Sequence, residues 1–459
     1  MQVHRIDFSK GKVSSCILKL SFPLMLAELV NLLYNMVDRV YIGHIPDVGS
    51  TALTGLGLCF PIISLISAFA RLFGFNGGAP LCSMARGRDD LEEASFVMGN
   101  SISMSILTGL AMTIAVLLFS KPVLYLFGAS DFSFPYASDY LRIYALGSVP
   151  VLLTLTMNAF INSQGFTFIG MLSVLIGAVA NIILDPILIF TFSLGVKGAA
   201  IATVISQTLS ASFGLSFLLG RNAIVKLRAK YMKLDLHRCM KVVVLGASGF
   251  TMGATNSIVQ LVCNKAAFIY GGDLYVGVMT ILNSVREVFS TPVNAIGSGA
   301  SPVMSYNYGA MNGERVRKAS DFALASCLVI SAIVWLLVFL FPAKMAMLFT
   351  QDEIMINASI SALRIYFFGF VFMAFQVSGQ QTFVSLGKAK EAIFFSLFRK
   401  VVIVVPLTIL LPRFFAINGV MLAEPISNVI GGLSAYITMR HVVMPELKKM
   451  SIRKPEIIV

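Results

Sequence analysis

About twelve apolar stretches run along the chain, centred near residues 29, 65, 107, 150, 180, 208, 256, 290, 330, 373, 402 and 428, each close to the ~20 residues that cross a hydrocarbon core. Spans of that kind restrict the fold severely, because lipid offers no partners to the backbone and every N–H and C=O must be satisfied within the span. Composition agrees with this: the chain is 57% hydrophobic and 12% charged, against about 25% charged in ordinary soluble domains. The expectation is an all-α polytopic membrane protein of twelve transmembrane helices, whose surroundings are the lipid bilayer.

A formal charge of +13 would suit a nucleic-acid partner if it were gathered on one surface, but it follows alternate loops. By count, 23 of the 35 Lys and Arg fall on the side of the N-terminus, including seven between Arg221 and Lys241, while the opposite loops hold four: Lys121, Lys197, Lys344 and Arg413. The positive-inside bias then puts both termini in the cytoplasm of a cell-membrane protein, requires an even number of spans, and leaves no nucleic-acid role. Cys16, Cys59, Cys82, Cys239, Cys263 and Cys327 have no metal-ligand spacing and read as small core residues. The first apolar run continues into a full span, so insertion is expected through helix 1 rather than a cleaved leader. No His-Glu-x-x-His, Gly-x-Gly-Asp or phosphate-binding Gly-x-x-x-x-Gly-Lys-Ser/Thr pattern is present, and His4, His44, His237 and His441 avoid the span centres. An enzyme or an ATP-driven pump is disfavoured.

Polar residues inside the spans carry the functional information. In the fifth, Asn181 and Asp185 stand four apart before Pro186 and share one helical face. They form either a structural hydrogen bond beside a proline break or part of an ion path, the usual meaning of an acid at membrane depth. Helix 1, read as Cys16 to Gly43, aligns Glu28, Asn31, Asn35 and Asp38 on one stripe, with Leu32, Leu33, Met36 and Val40 left for lipid. A structural network accounts for the asparagines, and Asp38 reads as functional. Helix 2 leads to an expected loop at Arg86-Gly87-Arg88, with Asp89, Asp90, Glu92 and Glu93 capping helix 3. Helix 4 shows Thr154, Asn158 and Asn162 on one face, and helix 6 carries Thr203 and Gln207 one turn apart.

The second half repeats the first at an offset of about 222 residues. Gly77 and Pro80 find Gly299 and Pro302, Gly87 finds Gly309, Leu141-Arg142-Ile143-Tyr144 recurs as Leu363-Arg364-Ile365-Tyr366, Gly165 finds Gly387, and Gly198 finds Gly419 at one residue less. Six spans duplicated give parallel repeats: an N-lobe over 1–220, a cytoplasmic strap over 221–241, and a C-lobe over 242–459 with a short cytoplasmic tail. Their chemistry differs, since Asp185 and Asn181 align with Leu407 and Ile403. The C-lobe has Arg286, Glu287, Arg399 and Glu424 as its own buried charges and polar stripes through Gln260, Gln376 and Gln380. Arg286 and Arg399 are expected to pair with Glu287 or Glu424, or else to face a cavity.

Taken together, the two-lobe layout, Asp38 before Gly43, Asn-Ile-Ile-Leu-Asp-Pro in helix 5 and Gly-Val-Lys-Gly-Ala-Ala-Ile-Ala-Thr opening helix 6 resemble the multidrug and toxic compound extrusion (MATE) transporters, in particular their MepA-like, DinF-related bacterial branch. The resemblance runs from about Ser21 to Arg440. It implies a monomeric antiporter that exports bulky, often cationic or amphipathic small molecules by alternating access in exchange for H⁺ or Na⁺, with no other cofactor. Carried over, it places the cation-coupling site at Asp38, Tyr140, Asn158, Asn181, Asp185 and Thr203, with Na⁺, if used, on Asp38, Asn181, Asp185 and Thr203. A NorM-like pattern would add acids in helices 7 and 10, where this chain has Gln260, Gln376 and Gln380, so coupling is expected in the N-lobe. A flippase for lipid-linked oligosaccharides in the same superfamily is the alternative, favoured by Arg39, Arg71, Arg286 and Arg399 if they face the cavity unpaired. Glu28 and Asn35 are further cavity candidates. The 36 Phe and 23 Met supply adaptable surface for varied substrates, though most are packing or lipid-facing.

Overall fold

The computed structural model describes residues 5–46 and 48–452; His4 and the tail beyond Ile452, with Arg453 and Lys454, lie outside the described residues. The described chain is helical throughout: α1 (Val13–Gly43), α2 (Gly49–Phe73), α3 (Ala79–Gly87), α4 (Leu91–Leu126), α5 (Phe134–Leu146), α6 (Ser148–Ser163), α7 (Thr167–Pro186), α8 (Val196–Leu219) and α9 (Leu236–Gly309), then α10 (Gly313–Leu340), α11 (Pro342–Met347), α12 (Glu353–Phe367), α13 (Met373–Ser385), α14 (Ala389–Leu397), α15 (Val405–Leu410), α16 (Pro412–Phe415) and α17 (Ile417–Ile452). Nine of these helices or continuous helical runs are long and apolar enough to cross a membrane, and two bent pairs, α5 with α6 and α12 with α13, raise the number to eleven. The twelfth comes from α9. Its 74 residues would extend about 110 Å as one rod, far beyond a hydrocarbon core of about 30 Å, and Gly272 breaks it with φ +66° and ψ −167°. At the repeat offset Gly272 falls at position 50, in the first turn of α2, next to the α1–α2 connection. Twelve spans therefore form two six-helix repeats.

The repeat is visible in backbone detail. Ser83 donates to the Ser163 carbonyl at 3.4 Å, and Ser305 to that of Ser385 at 2.8 Å. Asp90 caps α4 by accepting from the Glu93 N–H, as Asn312 caps α10 by accepting from that of Arg315. Gly195 and Ala416 share one backbone conformation, φ +54° and ψ −132° against φ +47° and ψ −136°. Both bent spans break at repeat-related glycines, by 54° at Gly147 and 42° at Gly369. A Cβ on Gly147 would stand 2.6 Å from Val204 Cγ2, and one on Gly369 2.5 Å from the Pro425 carbonyl oxygen. These contacts hold each bent span against the residue that follows Thr203 in α8 and Glu424 in α17.

Two compact units are present, one of residues 5–6 and 23–246, the other of residues 7–22 and 247–452. The first has a buried cluster including Ile42, Leu56, Ile66, Tyr140, Leu141 and Ile189; the second is built on Val278, Leu282, Val338, Leu363, Phe367 and Met421. Within the second, the opening residues are anchored by Arg315, which donates to the Phe8, Lys10 and Gly11 carbonyls, and by Asn307, which donates to that of Phe8. Many large apolar side chains are exposed, Leu118, Leu126, Val329 and Ile333 among them, as helices in lipid require.

The polar connection between the halves ends at Asp235, where α9 begins, and is fastened along the first unit. Gln164 accepts from the Ile224 and Val225 N–H groups at 2.9 Å each, Ser103 donates to the Met232 carbonyl at 2.7 Å, and Asn100 accepts from the Asp235 N–H at 2.7 Å. Asp235 in turn caps α9 through the Arg238 N–H, which holds its carboxyl below the usual range. One sequence expectation is corrected here: Arg86 lies in the last turn of α3, not in a loop, where burial is compensated by donation to the Ser163 carbonyl.

The glycine contacts predict an asymmetry. Gly369→Ala meets a backbone carbonyl that cannot rotate away and should cost about 1–3 kcal/mol, as overpacking typically does, while Gly147→Ala meets a valine side chain and should cost less. Thermal unfolding of the two purified variants checks this, and an equal or reversed order would contradict it.

Candidate functional site

Four elements of the first unit converge on one buried polar cluster. Helix α7 supplies Asn181 and Asp185, exposed by 1% and 0%. Pro186 closes that helix without an N–H to donate, and the wide π turn Ile187–Thr191 follows. Asn181 Nδ2 donates to Asp185 Oδ1 at 3.0 Å, the i, i+4 bond expected from the spacing. Asp38 of α1, 8% exposed, lies within electrostatic range of Asp185. Tyr140 of α5 is buried, stacks on Tyr144 with ring centroids 6.0 Å apart, and faces both Asp38 and Thr203 of α8. Thr203 spends its proton on the Ala199 carbonyl at 3.0 Å, leaving its oxygen lone pairs as acceptors.

The electrostatics of this cluster are one-sided. Neither Asp38 nor Asp185 makes an ion pair among the described residues, and Arg39, next to Asp38, is exposed and lies over the Phe60 ring at 5.4 Å. Asp38 Oδ1, Asp185 Oδ2 and Asn181 Oδ1 are buried without hydrogen-bond partners. Removing an unpaired carboxylate from water costs several kcal/mol or more, so two close together cannot both stay ionised and bare. Three acceptor-type oxygens without donors suit a proton, which would turn a carboxyl into a donor, or a hard cation that takes oxygen ligands.

Of the other expected site residues, Asn158 is placed elsewhere. It donates to the Gly170 carbonyl at 2.8 Å and accepts from Asn162 at 2.6 Å; measured along α7, Gly170 is about 16 Å from Asn181 at 1.5 Å per residue. Its polarity joins α6 to α7. Glu28 and Asn35 are exposed, and Asn35 donates to the Asn31 carbonyl. One member went unrecognised in the sequence. Tyr34 is one turn before Asp38 and within electrostatic range of both acids, and it faces Gln207 of α8. The i, i+4 spacing from Tyr34 to Asp38 is the signal that finds it.

In the second unit Arg286, Arg399 and Glu424 do meet. Arg286 Nη1 and Arg399 Nη1 reach Glu424 Oε1 at 3.1 and 3.2 Å, and Lys400, which sequence analysis passed over, adds its Nζ at 3.3 Å. Glu287 is corrected from a buried charge to an exposed one, because it is one residue and about 100° round the helix from Arg286. Gln260 is exposed; Gln376 is buried with Oε1 unpartnered; Gln380 donates to the Ala392 carbonyl and Ser396 Oγ at 2.8 Å each.

Asn158→Ala should therefore act on stability. It leaves a buried carbonyl short of a donor and should cost about 1–3 kcal/mol. Unfolding curves of the purified variant test the point; unchanged stability would contradict it.

Comparison with known proteins agrees with this architecture. The MatE family model matches residues 23–187 and 250–410. The "Multidrug export protein MepA" of Staphylococcus aureus (strain MRSA252) is 25% identical over 432 residues, covering 94% of each chain, and that of Staphylococcus saprophyticus subsp. saprophyticus is 24% identical over 440 residues, again 94% of each. A crystal structure of MATE in complex with MaL6 superposes with a TM-score of 0.91 at 24% identity, over 98% of this chain and 100% of that one. With the family model covering both repeats, the chain belongs to the MATE family of membrane transporters.

Proposed function

We propose that the protein is a secondary active exporter of bulky amphipathic compounds, cationic ones among them, driven by inward movement of H⁺ or Na⁺ and needing no other cofactor. The observation that carries this reading is the pair of buried carboxylates, Asp38 and Asp185, set close together without an ion pair. Either acid must take up a proton or share a metal cation, and such a group is a switch: loaded and unloaded forms prefer different helix packings, so each biases the equilibrium of the other. Asn181, Thr203 and Tyr140 would orient the carboxyls, and Na⁺, where it is the ion, would use the oxygens of Asp38, Asp185, Asn181 and Thr203. For a substrate without net charge, one inward charge draws about 2.3 kcal/mol per 100 mV, enough for roughly fiftyfold accumulation at 1.4 kcal/mol per decade; for a monocation exchanged one for one the electrical work cancels, and the concentration gradient of H⁺ or Na⁺ supplies the drive.

The same reading sets the protein as a monomer in the cell membrane with both termini and the 221–235 connection in the cytoplasm, following the excess of Lys and Arg on that side. The relatives' printed name, multidrug export protein, supports export of varied small molecules.

Proteoliposomes tested in separate H⁺ and Na⁺ gradients decide the matter. Wild type should move tetraphenylphosphonium against its gradient with one of the two ions and without ATP. Asp38→Asn and Asp185→Asn should stay folded and lose at least about tenfold in gradient-driven rate, and the double variant should be little worse than either, as for groups acting as one unit. Gradient-independent transport, or full coupling in both single variants, would refute the assignment; labelling of a cysteine at Lys226 from outside intact cells would refute the topology.

A further inference from the structure

Within the second unit, charge is gathered with the opposite sign. At the repeat offset used by Gly198 and Gly419, Thr203 of the acidic cluster corresponds to Glu424, and around Glu424 stand Arg286 from the second half of α9 and Arg399 and Lys400 from the chain between α14 and α15. That connection, Phe398–Val404, is a π turn, whose wider winding lets two consecutive side chains reach one carboxylate. Glu424 is 7% exposed in its side chain and Lys400 2%, whereas Arg286 is 31% and Arg399 13%. The cluster is thus sealed at Lys400 and opens along Arg286. Exposed Glu287 is within electrostatic range of Arg286; counting it, three cationic side chains face two acids.

The two guanidinium groups keep donors to spare. Arg286 and Arg399 each use one Nη1 on Glu424, and Arg399 Nη1 also donates to Asn428 Oδ1 at 2.8 Å; their remaining guanidinium N–H groups have no protein acceptor among the described residues. Guanidinium donors arranged as a planar fork match a carboxylate. The supporting backbone holds Arg399 tightly: a Cβ on Gly431 would stand 2.7 Å from Arg399 Cγ. Bases in excess of the one buried carboxylate carry a desolvation and repulsion cost that a further anion would relieve.

We propose that Arg286 and Arg399 bind the acidic group of anionic or zwitterionic substrates, with Glu424 and Lys400 holding the two guanidinium groups in place. The binding claim stands alone; its extension to exported compounds rests on the exporter reading above. Substrates would then include carboxylate-bearing aromatic or amphipathic molecules besides cations, recognised in one repeat by a cationic cluster while the other repeat handles the driving ion.

Equilibrium binding to the full-length purified protein, in a dilute zwitterionic buffer free of chloride and of any added carboxylate and with no ion gradient, tests this. The probes are 1-naphthoate, neutral 1-naphthamide and 1-naphthylmethylammonium, which share a ring and differ in charge. Wild type should prefer naphthoate to naphthamide by about tenfold or more, as expected for a charge-assisted pair, and added chloride should weaken that preference. Arg286→Gln leaves the buried Arg399–Lys400–Glu424 contacts intact and should remove most of the preference. Glu424→Gln, provided its unfolding temperature is near that of wild type, should bind naphthoate more tightly, because the competing carboxylate is gone. No preference in wild type, or an undiminished one in Arg286→Gln, would overturn the proposal. Since no gradient is applied, failure here with ion-driven tetraphenylphosphonium export intact would remove the anion site and spare the exporter reading.

Discussion

Charge taken out of water has to be balanced close by, and the two repeats of this protein differ most in how that is done. In the first, Asp38 and Asp185 approach each other with no base to neutralise them, and three of the surrounding carboxyl and amide oxygens have no donor. In the second, one carboxylate at Glu424 is shared by three basic side chains. Neither arrangement is what stability alone would choose, since a well-packed apolar core is commonly as stable as a buried ion pair and more stable than an unpaired charge. The excess charge of each repeat is best understood through what binds there.

The scaffold that permits this is strongly symmetric. Glycines at 147 and 369 bend equivalent spans and let them touch the residue beyond Thr203 and the residue beyond Glu424. Matching caps, matching serine bonds and matching positive-φ positions recur at one offset. Backbone geometry is shared between the repeats while the side chains at their centres have diverged, so a single fold carries two buried clusters of opposite charge.

Much of this was legible in the sequence. A span of about 20 apolar residues announces itself, and an acid within one is conspicuous, so Asp38 and Asp185 stood out; the repeat followed from glycine, proline and Leu-Arg-Ile-Tyr landmarks. Side chains whose placement depends on irregular backbone were harder to read. Nothing in the sequence marks Lys400 beside Arg399, and the π turn that holds both, which has no strong sequence signal, turns both toward Glu424. Asn158 shares an i, i+4 face with Thr154 and Asn162, yet spacing along one helix does not say which level of a neighbouring helix it meets; it meets Gly170 rather than Asp185. Gly272 lies in Gly271-Gly272-Asp273 between the spans centred near 256 and 290, and its positive φ is set by the turn between them.

The role proposed for Asp38 and Asp185 is to hold together one exchangeable cation that substrate displaces. It is tested most directly by adding tetraphenylphosphonium to purified protein and counting the cations released, protons with a pH indicator in weak buffer and sodium with a radiolabel. The account predicts close to one H⁺ or one Na⁺ released per probe bound by wild type, and little release from Asp38→Asn or Asp185→Asn at equal occupancy. Release undiminished in both variants would contradict it.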